Sequence, residues 1–182
     1  MLDRMTARLN CKLWTANVRG AMTASFAKKK GYTYVKEANE DAQVQQWAAL
    51  GHQEAIFGAL IHFGFTEEEL HKGMSKEDPK AAKRTTSDTL NRQLNNLKRK
   101  LGRNDRLVGP ALACLEGGRI PFFLSRAIAY AFDFDNPEDP DAQEILAFVQ
   151  EQGIAQAVER YCQLDLQVPL EQKLYELILA QY

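Results

Sequence analysis

A helical spacing of apolar residues runs through almost the whole chain and leaves little room for any other fold class. Between Thr6 and Lys30, the residues Leu9, Leu13, Ala16, Gly20, Ala24 and Ala27 recur three or four apart, which is one face of a helix. Lys28, Lys29 and Lys30 followed by Gly31 predict its end: cations against the C-terminal dipole, then a residue that tolerates positive φ. A second helix is expected over 39–63, through Val44, Trp47, Ala48, Ile56, Phe57, Leu60 and Ile61, with Gly64 as its stop. Thr66 and Glu69 have the spacing of a capping box, so a short helix starts there. Leu90, Leu94, Leu97 and Leu101 predict one long polar helix over 81–101 with a narrow apolar stripe. Helices over 107–115, 120–132, 142–152, 154–163 and 169–182 follow, the most apolar of them being 120–132. Asp139 before Pro140 reads as N-cap and first helical position. Gly31–Val35 is the only β-like stretch and reads as an extended connector. The expected architecture is all-α, a single multi-helix domain over 1–182.

Length and charge narrow the function. A chain of 182 residues with 45% hydrophobic residues can bury a core of its own. The formal net charge of −1 argues against a dedicated nucleic-acid binder. No apolar run reaches the roughly 18 residues of a membrane span, and Met1–Asn10 lacks a signal-peptide core. Three isolated cysteines, Cys11, Cys114 and Cys162, fit a reducing cytoplasm. Neither G-x-G-x-x-G nor G-x-x-x-x-G-K-[ST] occurs, so no Rossmann domain or phosphate loop is expected within the chain.

Two groups of residues could carry chemistry. Lys12, Asn17 and Gly20 share the first helix; at 100° per residue Asn17 lies about 140° from Lys12 and Gly20 about 80°. A lysine facing an apolar cleft can be a proton acceptor, and an asparagine beside it can hold a carbonyl or alkoxide oxygen. The plainer alternative is a solvated lysine and a surface asparagine. Lys98, Arg99, Lys100, Arg103 and Arg106 cluster at a helix C-terminus. They either complement the dipole on a solvated face or bind phosphate, which arginine grips bidentately. His52, His62 and His71 lack metal-ligand spacing, and no metal is expected. The acidic turn over 133–141 lacks the calcium-loop pattern.

At Lys12-Leu13-Trp14-Thr15-Ala16-Asn17 the sequence resembles the polyol-specific long-chain dehydrogenases, closest to their mannitol-1-phosphate 5-dehydrogenase and mannitol dehydrogenase members, which read K-L-[FY]-T-x-N-x-x-H there. Gly31-Tyr32-Thr33-Tyr34 is similar to a stretch that follows the same helix. The strongest match runs from Arg99 through Lys100-Leu101-Gly102-Arg103-Asn104-Asp105-Arg106-Leu107-Val108-Gly109 to Pro110, like R-K-L-S-x-x-D-R-L-[IV]-x-P. Asn136-Pro137-Glu138-Asp139-Pro140-Asp141-Ala142 resembles N-x-x-D-P-x-A. The resemblance covers nearly the whole chain. It implies the helical C-terminal substrate-binding domain of an NAD-dependent oxidoreductase of carbohydrate metabolism, with the 6-phosphogluconate-dehydrogenase C-terminal-like fold. Lys12 would then be the general base and Asn17 the group that polarises the reacting oxygen. Arg92, Arg99 and Lys100 would grip the polar or phosphorylated end of a sugar substrate.

The sequence departs from that pattern in three ways. The family's histidine falls on Gly20, and its R-D-P falls on Asn95-Asn96-Leu97. The nucleotide-binding half is not encoded. The isolated chain is therefore expected to be inactive, with NAD bound by a separate Rossmann-domain subunit or fragment. The alternative is a non-catalytic helical binding or interaction domain, self-associating through the exposed face. A third reading, a helical regulator binding RNA or DNA through 98–106, is opposed by the neutral charge, so neither nucleic acid nor membrane is an expected partner.

Overall fold

The computed structural model describes residues 4–74 and 88–182, with side chains described for 7–70 and 88–182. Every regular element among the described residues is a helix: α1 (Arg4–Lys12), a π-helical turn (Leu13–Asn17), α2 (Val18–Lys29), α3 (Val35–Glu40), α4 (Ala42–Phe63), α5 (Glu67–Met74), α6 (Leu90–Leu94), α7 (Leu97–Leu101), α8 (Val108–Glu116), α9 (Phe122–Ala131), α10 (Pro140–Gln152), α11 (Ile154–Cys162) and α12 (Pro169–Leu179). The expected all-α architecture is what forms. Helix α4 runs through the middle and packs against α8, α2 and α9. Phe26, Phe132, Phe134, Met22 and Ile128 fill the space between them without solvent contact. Glu54 on α4 reaches across to start α9, its carboxylate accepting from the N–H groups of Phe123 (3.0 Å) and Leu124 (2.9 Å).

Local signals decided several ends. The Thr66–Glu69 capping box forms, with Glu69 N–H donating to Thr66 Oγ1 (3.2 Å) and Thr66 N–H to Glu69 (2.9 Å). Asp139 caps α10 by accepting from Asp141 N–H, with Pro140 at the first helical position. Helix α2 ends at Lys29, and Gly31 takes a φ of 84°.

Other expectations are corrected. The helix expected over 39–63 is two helices, because Asp41 leaves the helical region and caps α4 through Val44 N–H (2.9 Å). The segment before it is α3, started by Glu37, which accepts from Thr33 and Tyr34 N–H. The connector therefore stops at Tyr34, which forms an isolated antiparallel bridge with Thr89. The helix expected over 120–132 starts only at Phe122, and Ile120 is exposed.

The single helix expected over 81–101 is broken; its first part, 81–87, lies outside the described residues. Asn95 is extended (ψ 148°) and Asn96 left-handed (φ 60°), separating α6 from α7. Asparagine tolerates that conformation better than other non-glycine residues. Asn136, 2% exposed, clamps the break: its amide donates to Asn95 Oδ1 (2.9 Å) and its oxygen accepts from Asn91 (3.0 Å). Leu90, Leu94, Leu97 and Leu101 are all fully buried across it.

The buried face of the first helix also differs from the expected one. Cys11, Trp14, Thr15, Val18, Ala21, Met22 and Ser25 face inward, whereas Leu9 is 61% exposed, Ala16 is exposed, and Leu13 and Gly20 are half-buried. Burying Trp14, Val18 and Met22 removes more apolar area from water than burying alanine and glycine, and the π turn shifts the phase between the two halves. Ala24 and Ala27, past that turn, are buried as expected.

Candidate functional site

The π turn sits where the first group of candidate residues lies. Lys12 ends α1 and Asn17 ends the turn, and both are exposed. A turn whose hydrogen bonds close from i to i+5 is wider than an α-helical turn. It brings Asn17 closer in angle to Lys12 than the roughly 140° separation of an unbroken α-helix. Gly20 follows one turn later on the same side.

Neighbouring elements hold the extra residue in place. Thr15 Oγ1 donates back to the Cys11 carbonyl (2.8 Å). The Thr15 carbonyl accepts from His52 Nε2 of α4 at 2.6 Å. Burial pushes the imidazole of His52 below its ordinary value; the Thr15 carbonyl opposes the shift and Arg19 adds to it. Trp14 Nε1 donates to the Asn104 carbonyl (3.2 Å), and its ring packs near those of His62 (4.8 Å) and Phe63 (4.9 Å). The other side of the indole lies on Gly109 of α8, where a Cβ would come within 2.4 Å of it.

The basic group lies on α6 and α7, and α6 packs directly against α2. Arg92 is exposed and 3.4 Å from Asp88. Arg99 is exposed and has no hydrogen-bond or ion-pair partner among the described residues. Lys100 is only 4% exposed, and its ammonium donates to the Asn95 carbonyl at the break. Burial, with Arg106 and Arg99 nearby, lowers its pKa to about 8, against the pull of Asp139 and Asp105. The rest of the cluster is paired with carboxylates, although Arg103 remains exposed. Lys98 pairs with Glu144, Arg103 with Glu171, and Arg106 with Asp105 (2.8 Å). Lys98 and Arg103 bind the chain to itself, because α10 and α12 present carboxylates to them, while Arg106 pairs with its neighbour in sequence. Among the described residues no hydrogen bond joins Lys12 or Asn17 to Arg92, Arg99 or Lys100. Helix α6, which carries Arg92, packs on α2, the helix that continues from the π turn, whereas α7, which carries Arg99 and Lys100, packs on α10 and α11.

His52 has no sequence signal that ties it to Thr15, since the partner is a backbone carbonyl. Among the described residues no group of three or more His, Cys, Asp or Glu side chains could hold a metal ion. Cys11, Cys114 and Cys162 are buried thiols, and burial raises all three, Cys11 to about 11 and Cys114 to about 12.

Comparison with known proteins bears on what this arrangement descends from. No protein-family profile matches the chain. It is, however, 34% identical over 154 residues, 85% of its length, to the mannitol-1-phosphate 5-dehydrogenase of Bacillus licheniformis. By sequence it belongs with the mannitol-1-phosphate 5-dehydrogenases. The enzyme of that name from Bacillus subtilis is 31% identical over 93% of this chain, and that from Oceanobacillus iheyensis 32% identical over 96%. The chain spans 41%, 44% and 46% of these three mannitol-1-phosphate 5-dehydrogenases, less than half of each. That share and the helical fold agree with the resemblance to a C-terminal domain of the family. No helix among the described residues is long and apolar enough to cross a membrane.

Proposed function

We propose that this chain is the substrate-binding part of an NAD-dependent polyol-phosphate oxidoreductase, acting in the cytoplasm. The observation that carries the reading is the unburied side of the first helix. Lys12 and Asn17 are both exposed there, on either side of the π turn, with the exposed apolar residues Leu9 and Ala16 near them in sequence. In this reading that side faces a nucleotide-binding part supplied by residues outside this sequence or by a separate subunit, and the substrate lies between the two.

Lys12 would take the proton from the reacting hydroxyl, and the Asn17 amide would donate to the same oxygen and hold it. Arg99 would meet a phosphate at the far end, with Arg92 next to it on exchange of its contact with Asp88. Lys100 would act from within: its ammonium holds the α6–α7 break and adds positive potential beneath that surface. NAD, when bound by the other part, supplies the hydride acceptor. The described residues form no strand–turn–helix phosphate cradle, so none of them is assigned to it.

The second reading, a binding domain without the chemistry, is favoured by Gly20 and Asn95, which stand where family members carry histidine and arginine. Thermal denaturation of the chain with fructose 6-phosphate or mannitol 1-phosphate separates the two, with fructose and inorganic phosphate as controls. A ligand that binds only the folded state must raise Tm. The expected result is a shift specific to the sugar phosphates that is lost in Arg99→Ala and reduced in Asn17→Ala. Sugar phosphates that raise Tm no more than inorganic phosphate does would favour the second reading.

A further inference from the structure

The glycine at position 20 has a specific neighbour. An ideal Cβ there would lie 2.7 Å from Oε1 of Gln93, closer than real Cβ atoms approach anything. A side chain at residue 20 would therefore have to displace the end of Gln93, a residue on α6, whose amide lies in the space that glycine leaves. Gln93 is half-buried, and no hydrogen bond to its amide is found among the described residues. A carboxamide has two N–H donors and an accepting oxygen, all of them open here to a ligand.

Its position says what that ligand is. Asn17 and Gly20 are three residues apart on one helix side, and the π turn brings Lys12 nearer to that side than an unbroken α-helix would. The Gln93 amide lies at Gly20, so it lies one further step along that side from Asn17. The geometry points to Gln93 as a specificity-determining residue: its amide, lodged in the notch at Gly20, hydrogen-bonds a hydroxyl of the polyol chain next to the reacting carbon. The inference rests on the proposed substrate site. A glutamine reads a hydroxyl as donor and acceptor at once, and it carries no charge that would bind the phosphate. It therefore distinguishes polyols by the presence and configuration of one hydroxyl.

The test is a titration followed on the side-chain amide signals of ¹⁵N-labelled chain, with Gln93→Leu and Asn17→Ala used to assign the two amide pairs. Mannitol 1-phosphate, glucitol 6-phosphate and inorganic phosphate are the probes. Mannitol 1-phosphate is expected to shift both amide pairs and inorganic phosphate neither. Gln93→Leu is expected to weaken mannitol 1-phosphate binding about five- to tenfold, the worth of one neutral hydrogen bond. It should also level the preference between the two polyol phosphates while Tm without ligand stays within a few degrees. If the Asn17 pair moves and the Gln93 pair does not, or if Gln93→Leu keeps wild-type affinity and preference, Gln93 is not the reader and the substrate site stands. If neither pair moves with either polyol phosphate, the site itself is wrong and the assignment falls with it.

Discussion

The imidazole Nε2 of His52 lies 2.6 Å from the carbonyl oxygen of Thr15, across the contact between α4 and the π turn. It satisfies a backbone acceptor within the turn that separates Lys12 from Asn17. Replacing His52 by leucine leaves that half-buried carbonyl without a donor, at a cost of about 1–3 kcal/mol. Glutamine, which keeps an N–H at similar reach, is expected to recover at least half of it. Chemical denaturation of the two variants measures the difference, and equal stability of His52→Leu and wild type would show that the bond contributes nothing.

The same histidine gives a pH dependence. Folding lowers its pKa below the ordinary imidazole value, so as pH falls the unfolded chain takes up the proton first. The stability that neutral His52 provides is whole above the unfolded pKa and is lost as pH falls through the folded one. Tm should therefore drop more steeply between pH 7 and pH 5 for the wild type than for His52→Gln, as read by parallel thermal melts (range chosen from the ordinary value of about 6.5).

Lys100 gives the opposite window. Its pKa falls to about 8 on folding, so below that pH the folded state carries a charge it disfavours. This penalty is relieved as pH rises from about 8 toward the unfolded lysine value of roughly 10.4. Measured against Lys100→Met, wild-type stability should gain between pH 8 and pH 10. The comparison with the variant matters because the buried cysteines, raised by folding, lose stability over part of the same range.

Gly109 has the indole of Trp14 where a side chain would begin. Gly109→Ala should cost about 1–3 kcal/mol as an overpacked contact. Because it pushes on Trp14 within the π turn, it should also perturb the amide signals of residues 13–17 more than those of α10–α12. Uniform shifts across the chain, or none, would separate Trp14 from the geometry of the turn.

Glu54→Ala should destabilise by about 1–3 kcal/mol, because the Phe123 and Leu124 N–H groups at the start of α9 then lose their acceptor. Hydrogen exchange at those two amides should rise by more than the global change. Unchanged protection would show that the first turn of α9 does not depend on α4.

What could be read in the sequence was what nearby residues decide. The capping box at Thr66, the cap at Asp139, the stop at Gly31 and the inward leucines of 90–101 each follow from a few adjacent positions. The α6–α7 break was not legible although Asn95 and Asn96 mark it, because what clamps it open is Asn136, far along the chain. The π turn was not legible because its partners are His52, Asn104 and Gly109. Periodicity assumed an unbroken helix and so chose the wrong buried face for its first half. Lys12 and Asn17 came from family resemblance and not from pattern, and the contact of Gln93 with Gly20 needed coordinates.

A π turn is in effect one inserted residue, and the first helix keeps its core packing on both sides of it. Deleting a single residue from 13–17 would barely alter length, charge or hydrophobicity. It would still rotate everything N-terminal of the turn by about 100° relative to α2. Lys12 would then point to a different quarter of the molecule, and Cys11 would leave its place in the core with it. Among homologues of this chain, a gap of one residue at that place would mark a protein that shares the architecture but has moved its lysine out of line.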